Sequence, residues 1–141
     1  ILKKIKDALE QEIKVIYCIG ESKEEKNRRV EYQVLERQIA RIFNKLSNEE
    51  LKNIIIAYEP GYLIGNNNIY NLAKIKEMIQ FIKHLTLDYY QINVPVVFGG
   101  SINKENIDYL LNLNILDGFI ICSSILNPEN ITKIIQKMTT Q

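Results

Sequence analysis

Glu59 ends the run Ile54-Ile55-Ile56-Ala57-Tyr58 and is followed at once by Pro60. Three consecutive isoleucines predict a parallel strand buried on both faces. Proline cannot donate to a ladder, so pairing stops there and a loop begins. A carboxylate held between an apolar strand and a loop suits a general base, because partial loss of water makes it hold a proton more tightly. It can equally be an ordinary strand-end carboxylate. Gly99-Gly100-Ser101 has the same two-sided reading. Glycine-exposed N–H groups ahead of a helix can hold a phosphate, and the same residues can simply make a turn.

The elements that must position these residues follow from periodicity. Leu2, Ile5, Ala8 and Leu9 fall at helical spacing, with no cap before them. Lys14–Ile19 predicts a strand, closed by Gly20-Glu21 and a charged loop. Leu35, Ile39, Ile42, Phe43 and Leu46 mark one face of a helix starting near Val30, and Ser47-Asn48-Glu49-Glu50 has capping-box spacing. After the Glu59 strand come a helix through Leu72, Ile75, Ile79 and Ile82, and a strand over Val94–Phe98. A helix from Asn103 to about Leu113 and a strand over Asp117–Ile121 follow. Asn127-Pro128 starts the last helix as N-cap and first residue, with Ile131, Ile134, Ile135 and Met138 as its buried face. Strict alternation with short connections predicts an α/β fold of parallel (β/α) units. All four strands end in candidate site residues, so chemistry is expected at the C-terminal edge of the sheet.

Composition narrows the classes. The 141 residues, 46% hydrophobic and 25% charged, fit one soluble unit with a core. A net charge of +1 supplies no general attraction to nucleic acid or an anionic membrane. No apolar run approaches a bilayer span, and a cytoplasmic location is expected. The cysteines, Cys18 and Cys122, make neither a disulfide framework nor a metal-ligand spacing. Cys18 is expected as a small buried hydrophobe and Cys122 as structural. An anion at the strand ends would be held largely by backbone donors. The first residue is Ile, and the chain is read as a piece of something longer.

Ala57-Tyr58-Glu59-Pro60-x-Tyr62-Leu63-Ile64-Gly65 resembles the signature of the triosephosphate isomerase family. The likeness extends through Cys18-Ile19-Gly20-Glu21, Val96-Val97-Phe98-Gly99-Gly100-Ser101, Asp117-Gly118-Phe119 and Leu126-Asn127-Pro128-Glu129. It implies that residues 1–141 are the C-terminal half of a TIM (β/α)8 barrel, strands five to eight, with the N-terminal half absent. A whole barrel takes about 250 residues. The implied activity interconverts dihydroxyacetone phosphate and glyceraldehyde 3-phosphate in glycolysis and gluconeogenesis, with no cofactor and no metal. Glu59 would be the catalytic base. Gly65, Ser101, Cys122 and Ser123 would bind the phosphate, and Pro60, Gly61, Tyr62, Leu63, Ile64, Gly65 and Asn66 would form the lid. The implied partners are a small phosphorylated triose and, for a full-length member, a second copy in a homodimer.

The likeness has departures. Cys122-Ser123 stand where the family has paired glycines, Phe98 stands for a tyrosine, and Gly61 and Asn66 are unusual in the lid. The family's lysine and histidine follow earlier strands. His84, the single histidine, lies in the helix after Glu59 and is expected to be exposed. Glu21 is expected in a structural salt bridge. The isolated fragment is expected to be inactive or nearly so, with two open sheet edges and an uncovered inner face. Two alternatives stand beside this reading. One is a non-catalytic half-barrel that assembles with itself or with a separate N-terminal half, and the other is a different phosphate-binding barrel enzyme.

Overall fold

A parallel ladder needs its strands joined by crossovers, and the alternation of β-branched runs with amphipathic segments supplies them. The computed structural model describes residues 1–64, 71–122 and 127–140. The element order is α1 (Leu2–Leu9), β1 (Val15–Ile19), α2 (Lys23–Asn27), α3 (Glu31–Phe43), α4 (Asn48–Leu51) and β2 (Ile54–Tyr58). A 3₁₀ turn (Gly61–Leu63), α5 (Leu72–Tyr90), β3 (Val96–Gly99), α6 (Ile107–Leu111), β4 (Gly118–Ile120) and α7 (Pro128–Thr139) follow. The strands form one parallel sheet in chain order, β1-β2-β3-β4.

Register decides which side chains share a face. Tyr17, Ile56 and Val96 align across the sheet, as do Ile19, Tyr58, Phe98 and Phe119. That face joins Leu35, Ile39, Ile42, Ile75, Ile79 and Ile82 from α3 and α5 in the core. Edge-to-face pairs Tyr32–Phe81 and Phe43–Tyr90, with centroids 4.9 and 5.1 Å apart, add aromatic contacts to this layer. Asp117 fixes the register of the last two strands. Its Oδ2 accepts from the Val96 N–H at 2.7 Å and from Lys83 Nζ at 2.8 Å, while its own N–H donates to the Val96 carbonyl. Pro95 stands just before β3, where its carbonyl still accepts from Ile56.

The opposite face corrects the expectation of a strand buried on both sides. Ile16 is 52% exposed there, and Ile55 and Val97 are only half-buried. The helices cover one face, so β2 is dry only at Ile54, Ile56 and Tyr58 on that side and at Ala57. Cys18 shares this open face and is exposed rather than buried. The last helix also differs from expectation. Ile134 is fully buried, but Ile135 is 52% and Met138 39% exposed, because α7 packs beside α6 and no further element covers its flank among the described residues.

Local signals behaved as their chemistry dictates. Ser47 and Glu50 close a capping box on α4, and Asn127 caps α7 with Pro128 in its first turn. The charged loop after β1 is instead the helix α2. Ser22 accepts from the Glu25 N–H and Glu25 reaches back to the Ser22 N–H, a second capping box legible as Ser-x-x-Glu.

Candidate active site at the C-terminal edge

Glu59 is the first residue past β2, and two glycines make the space it occupies. A Cβ placed on Gly20 would lie 2.1 Å from the Glu59 carbonyl oxygen. One on Gly99 would lie 2.5 Å from Glu59 Oε1 and 2.8 Å from its Cγ. The backbone of Glu59 therefore runs against the exit of β1, and its carboxylate lies flat over the exit of β3. The contact is repeated in hydrogen bonds. Glu59 N–H donates to the Ile19 carbonyl at 2.7 Å, and Gly61 N–H to the Glu21 carbonyl at 2.9 Å. The β1 exit thus grips the chain on both sides of Pro60.

The carboxylate has a thiol neighbour. Cys18 lies near Glu59 on the open face, and its thiol is pushed up to about 11, first by loss of water around the sulfur and then by the Glu59 carboxylate. Although Cys18 as a residue is open to solvent, its sulfur sits in this drier corner. Cys122, exposed just past β4, is near enough to add a smaller effect of the same sign. Cys122 and Glu59 therefore stand on the same edge.

The proposed lid begins as ordered chain. Pro60 and Leu63 are buried, Leu63 N–H donates to the Pro60 carbonyl, and Ser101 Oγ donates to the Leu63 carbonyl at 2.9 Å. Lys26 of α2 lies over the Tyr62 ring, 3.6 Å from its centroid. Gly61 is exposed, and a Cβ there would meet only ordinary contacts, the nearest 3.5 Å away. Ile64 is exposed at the end of this stretch. Ser101 itself sits at φ 50°, a left-handed turn held by Asn106 Nδ2 donating to its carbonyl. Its hydroxyl is committed to Leu63, so a ligand at this turn would meet its backbone N–H. Gly65, Asn66 and Ser123 lie outside the described residues.

Among the described residues Glu21 does not form the expected salt bridge. It is 1% exposed and accepts from the Tyr58 hydroxyl at 3.1 and 3.2 Å. Loss of water is the main reason its carboxyl is raised above the ordinary range, and burial likewise pushes the Tyr58 phenol well up. Moving a carboxylate into this site with a neutral donor makes its protonated form the more comfortable one. The folded state then binds more protons than the unfolded state between the ordinary value, 4.5, and the raised one, so stability falls as pH rises through that window. Replacing Glu21→Gln removes this titration. Urea midpoints measured against pH should show the parent losing ground to Glu21→Gln as pH rises above about 4.5. Parallel curves would count against the assignment.

Gln38 was not singled out by its residue type, although its spacing marks it. It falls three after Leu35 and four before Ile42, on the apolar stripe of α3. In the fold its amide spans the Gly20 peptide groups. Gly20 N–H donates to Oε1 at 2.9 Å, and Nε2 donates to the Gly20 carbonyl at 3.1 Å. His84 is exposed on α5 and away from this edge.

A family model for triosephosphate isomerase matches residues 1–138. The chain belongs to the triosephosphate isomerase family. A triosephosphate isomerase of Ureaplasma parvum serovar 3 is 37% identical over 131 residues, 93% of this chain and 52% of the relative. One from Francisella tularensis subsp. holarctica is 33% identical, covering 97% of this chain and 55% of its own length. One from Chloroherpeton thalassium is 32% identical, covering 95% and 55%. The chain therefore spans about half the length of the curated relatives it matches. Its four-stranded parallel sheet with alternating helices is that of part of a TIM barrel. Among the described residues no helix is long and apolar enough to cross a membrane.

Proposed function

We propose that this chain is the C-terminal half of a triosephosphate isomerase, strands five to eight of the barrel, and carries its catalytic base. The observation that carries the reading is the Glu59 carboxylate laid over Gly99 at the C-terminal edge, with Gly20 beneath its backbone. There it can take a proton from a carbon next to a carbonyl and return it to the neighbouring carbon. This interconverts dihydroxyacetone phosphate and glyceraldehyde 3-phosphate through an enediolate. The phosphate would be held by backbone N–H groups of Ser101, Cys122 and Ser123 and of Gly65 in the lid. Cys122-Ser123 stand in place of paired glycines, and side chains at these positions would crowd a phosphate approaching the backbone. Proton transfer of this kind is performed by side chains, so no cofactor or metal is invoked. The lysine and the electrophilic histidine of the family belong to strands outside this sequence.

The test is turnover. The purified chain alone should give no isomerisation above the uncatalysed rate. Joined to the remaining length of the Ureaplasma parvum relative, it should gain activity. Robust turnover by the chain alone, or none in a joined protein that is folded, would each refute the assignment of half the machinery to this chain.

A second reading has its own support. The open face carrying Ile16, Ile55 and Val97 is apolar and only partly covered. A half-barrel with such a face would assemble with itself or with a separate N-terminal half, as the full-length family members would form homodimers. Light scattering distinguishes a monodisperse dimer from a monomer.

A further inference from the structure

We propose that Gln38 is the positioning residue of the Glu59 carboxylate, acting through the backbone of Gly20. The consequence for turnover rests on Glu59 being the base. The geometry does not.

A strand exit is where a ladder ends and backbone groups lose their regular partners. At the exit of β1, Gln38 replaces those partners. Its amide donates to and accepts from the same residue, at 3.1 and 2.9 Å, as a further strand would. The helix is tied to the strand three residues earlier as well, since Tyr17 Oη donates to the Gln38 carbonyl at 2.8 Å. Gly20 is therefore fixed to α3 by its own backbone and by the strand residue three before it.

What Gly20 then fixes is Glu59. No side chain separates them, because a Cβ on Gly20 would fall within 2.1 Å of the Glu59 carbonyl oxygen and 3.0 Å of Pro60 N. Glu59 N–H is held by Ile19 and Gly61 N–H by Glu21, the two residues flanking Gly20. Any shift of the Gly20 peptide is transmitted directly to the backbone that carries the carboxylate. An apolar residue at position 38 would serve the stripe on α3 equally well. Only an amide of this length satisfies both Gly20 groups.

Cys18 reports the position of the carboxylate without any need for turnover. Its thiol lies near the Glu59 carboxylate and ionises reluctantly in part because of it. The measurement is the rate of Cys18 alkylation by iodoacetamide at pH 8 on the 141-residue chain, with peptide mapping to separate Cys18 from Cys122. Gln38→Met, which keeps length and removes both hydrogen bonds, should raise the rate about three- to tenfold as the carboxylate leaves the sulfur. Glu59→Gln should raise it by a similar factor. The double variant should rise no further than Glu59→Gln alone, because the effect of Gln38 runs through that carboxylate. Should methionine prevent folding, Gln38→Asn, an amide one methylene short, carries the same comparison. An unchanged Cys18 rate overturns the proposal. So does a rise of equal size with and without Glu59, which would mean that Gln38 only stiffens the strand end. Failure of the isomerase reading would show instead as absent turnover in the joined barrel, with this thiol response intact.

Discussion

Glu59→Gln is expected to lower kcat of the joined barrel by about 10²- to 10⁴-fold, the range for removing a positioned general base. The amide is nearly isosteric and still fits over Gly99, so KM for the triose phosphate should change far less than kcat. Urea unfolding of the chain should be almost unchanged, since the side chain is only partly buried. Glu59→Asp keeps the charge and withdraws it by one methylene from the Gly99 surface. A loss in kcat without a loss in binding is expected there too, because proton transfer depends on reach. A drop in KM-limited binding with kcat preserved would place Glu59 among the binding residues and remove it from the chemistry. Gly99→Ala approaches the same carboxylate from below. Its Cβ would overlap the far end of a flexible side chain, so the fold should survive while Glu59 moves and kcat falls.

Gly20→Ala is expected to be the most destabilising single methyl in the chain's site. Its Cβ would meet backbone on three sides, the Glu59 oxygen at 2.1 Å, the Glu59 carbonyl carbon at 2.5 Å and Pro60 N at 3.0 Å. Backbone cannot step aside as a side-chain tip can, so β1 and β2 must part at their exits. The bond from Glu59 N–H to the Ile19 carbonyl would stretch with them. A cost of about 3 kcal/mol is expected, at the upper end for overpacking a well-filled site. Gly118→Ala provides the comparison. Its Cβ would stand 3.3 Å from Val97 Cγ1, a single methyl that can give way, and should cost under about 1 kcal/mol. Urea unfolding of the two variants tests the ranking. Equal midpoints would mean that the Gly20 contact relaxes without cost.

The order of elements was legible because each strand and helix carried its own period. β2 and the β-branched core of β3 announced themselves locally, and Ser47, Asn127 and Pro128 started helices by side-chain chemistry that acts within a turn. The helix α2 is equally local: its charges suggest a loop, yet Ser22 and Glu25 hold the capping spacing. Burial was less legible. A residue's type shows that it prefers an apolar partner, not whether one is present. Cys18, Ile16, Ile135 and Met138 all have core-like side chains and are exposed, because the face or flank they occupy has no covering layer among the described residues.

For the site, the sequence by itself determined that a carboxylate ends a strand, that glycines end its neighbours, and, through resemblance, which family this pattern belongs to. Only the tertiary structure decided that Gly20 and Gly99 are spaces for Glu59, that Glu21 is closed in by Tyr58, and that Gln38 holds the exit of β1. The reason is physical. Propensity and capping act over a few residues, whereas each of these contacts joins residues 18 to 40 positions apart and exists only once the parallel strands are in register.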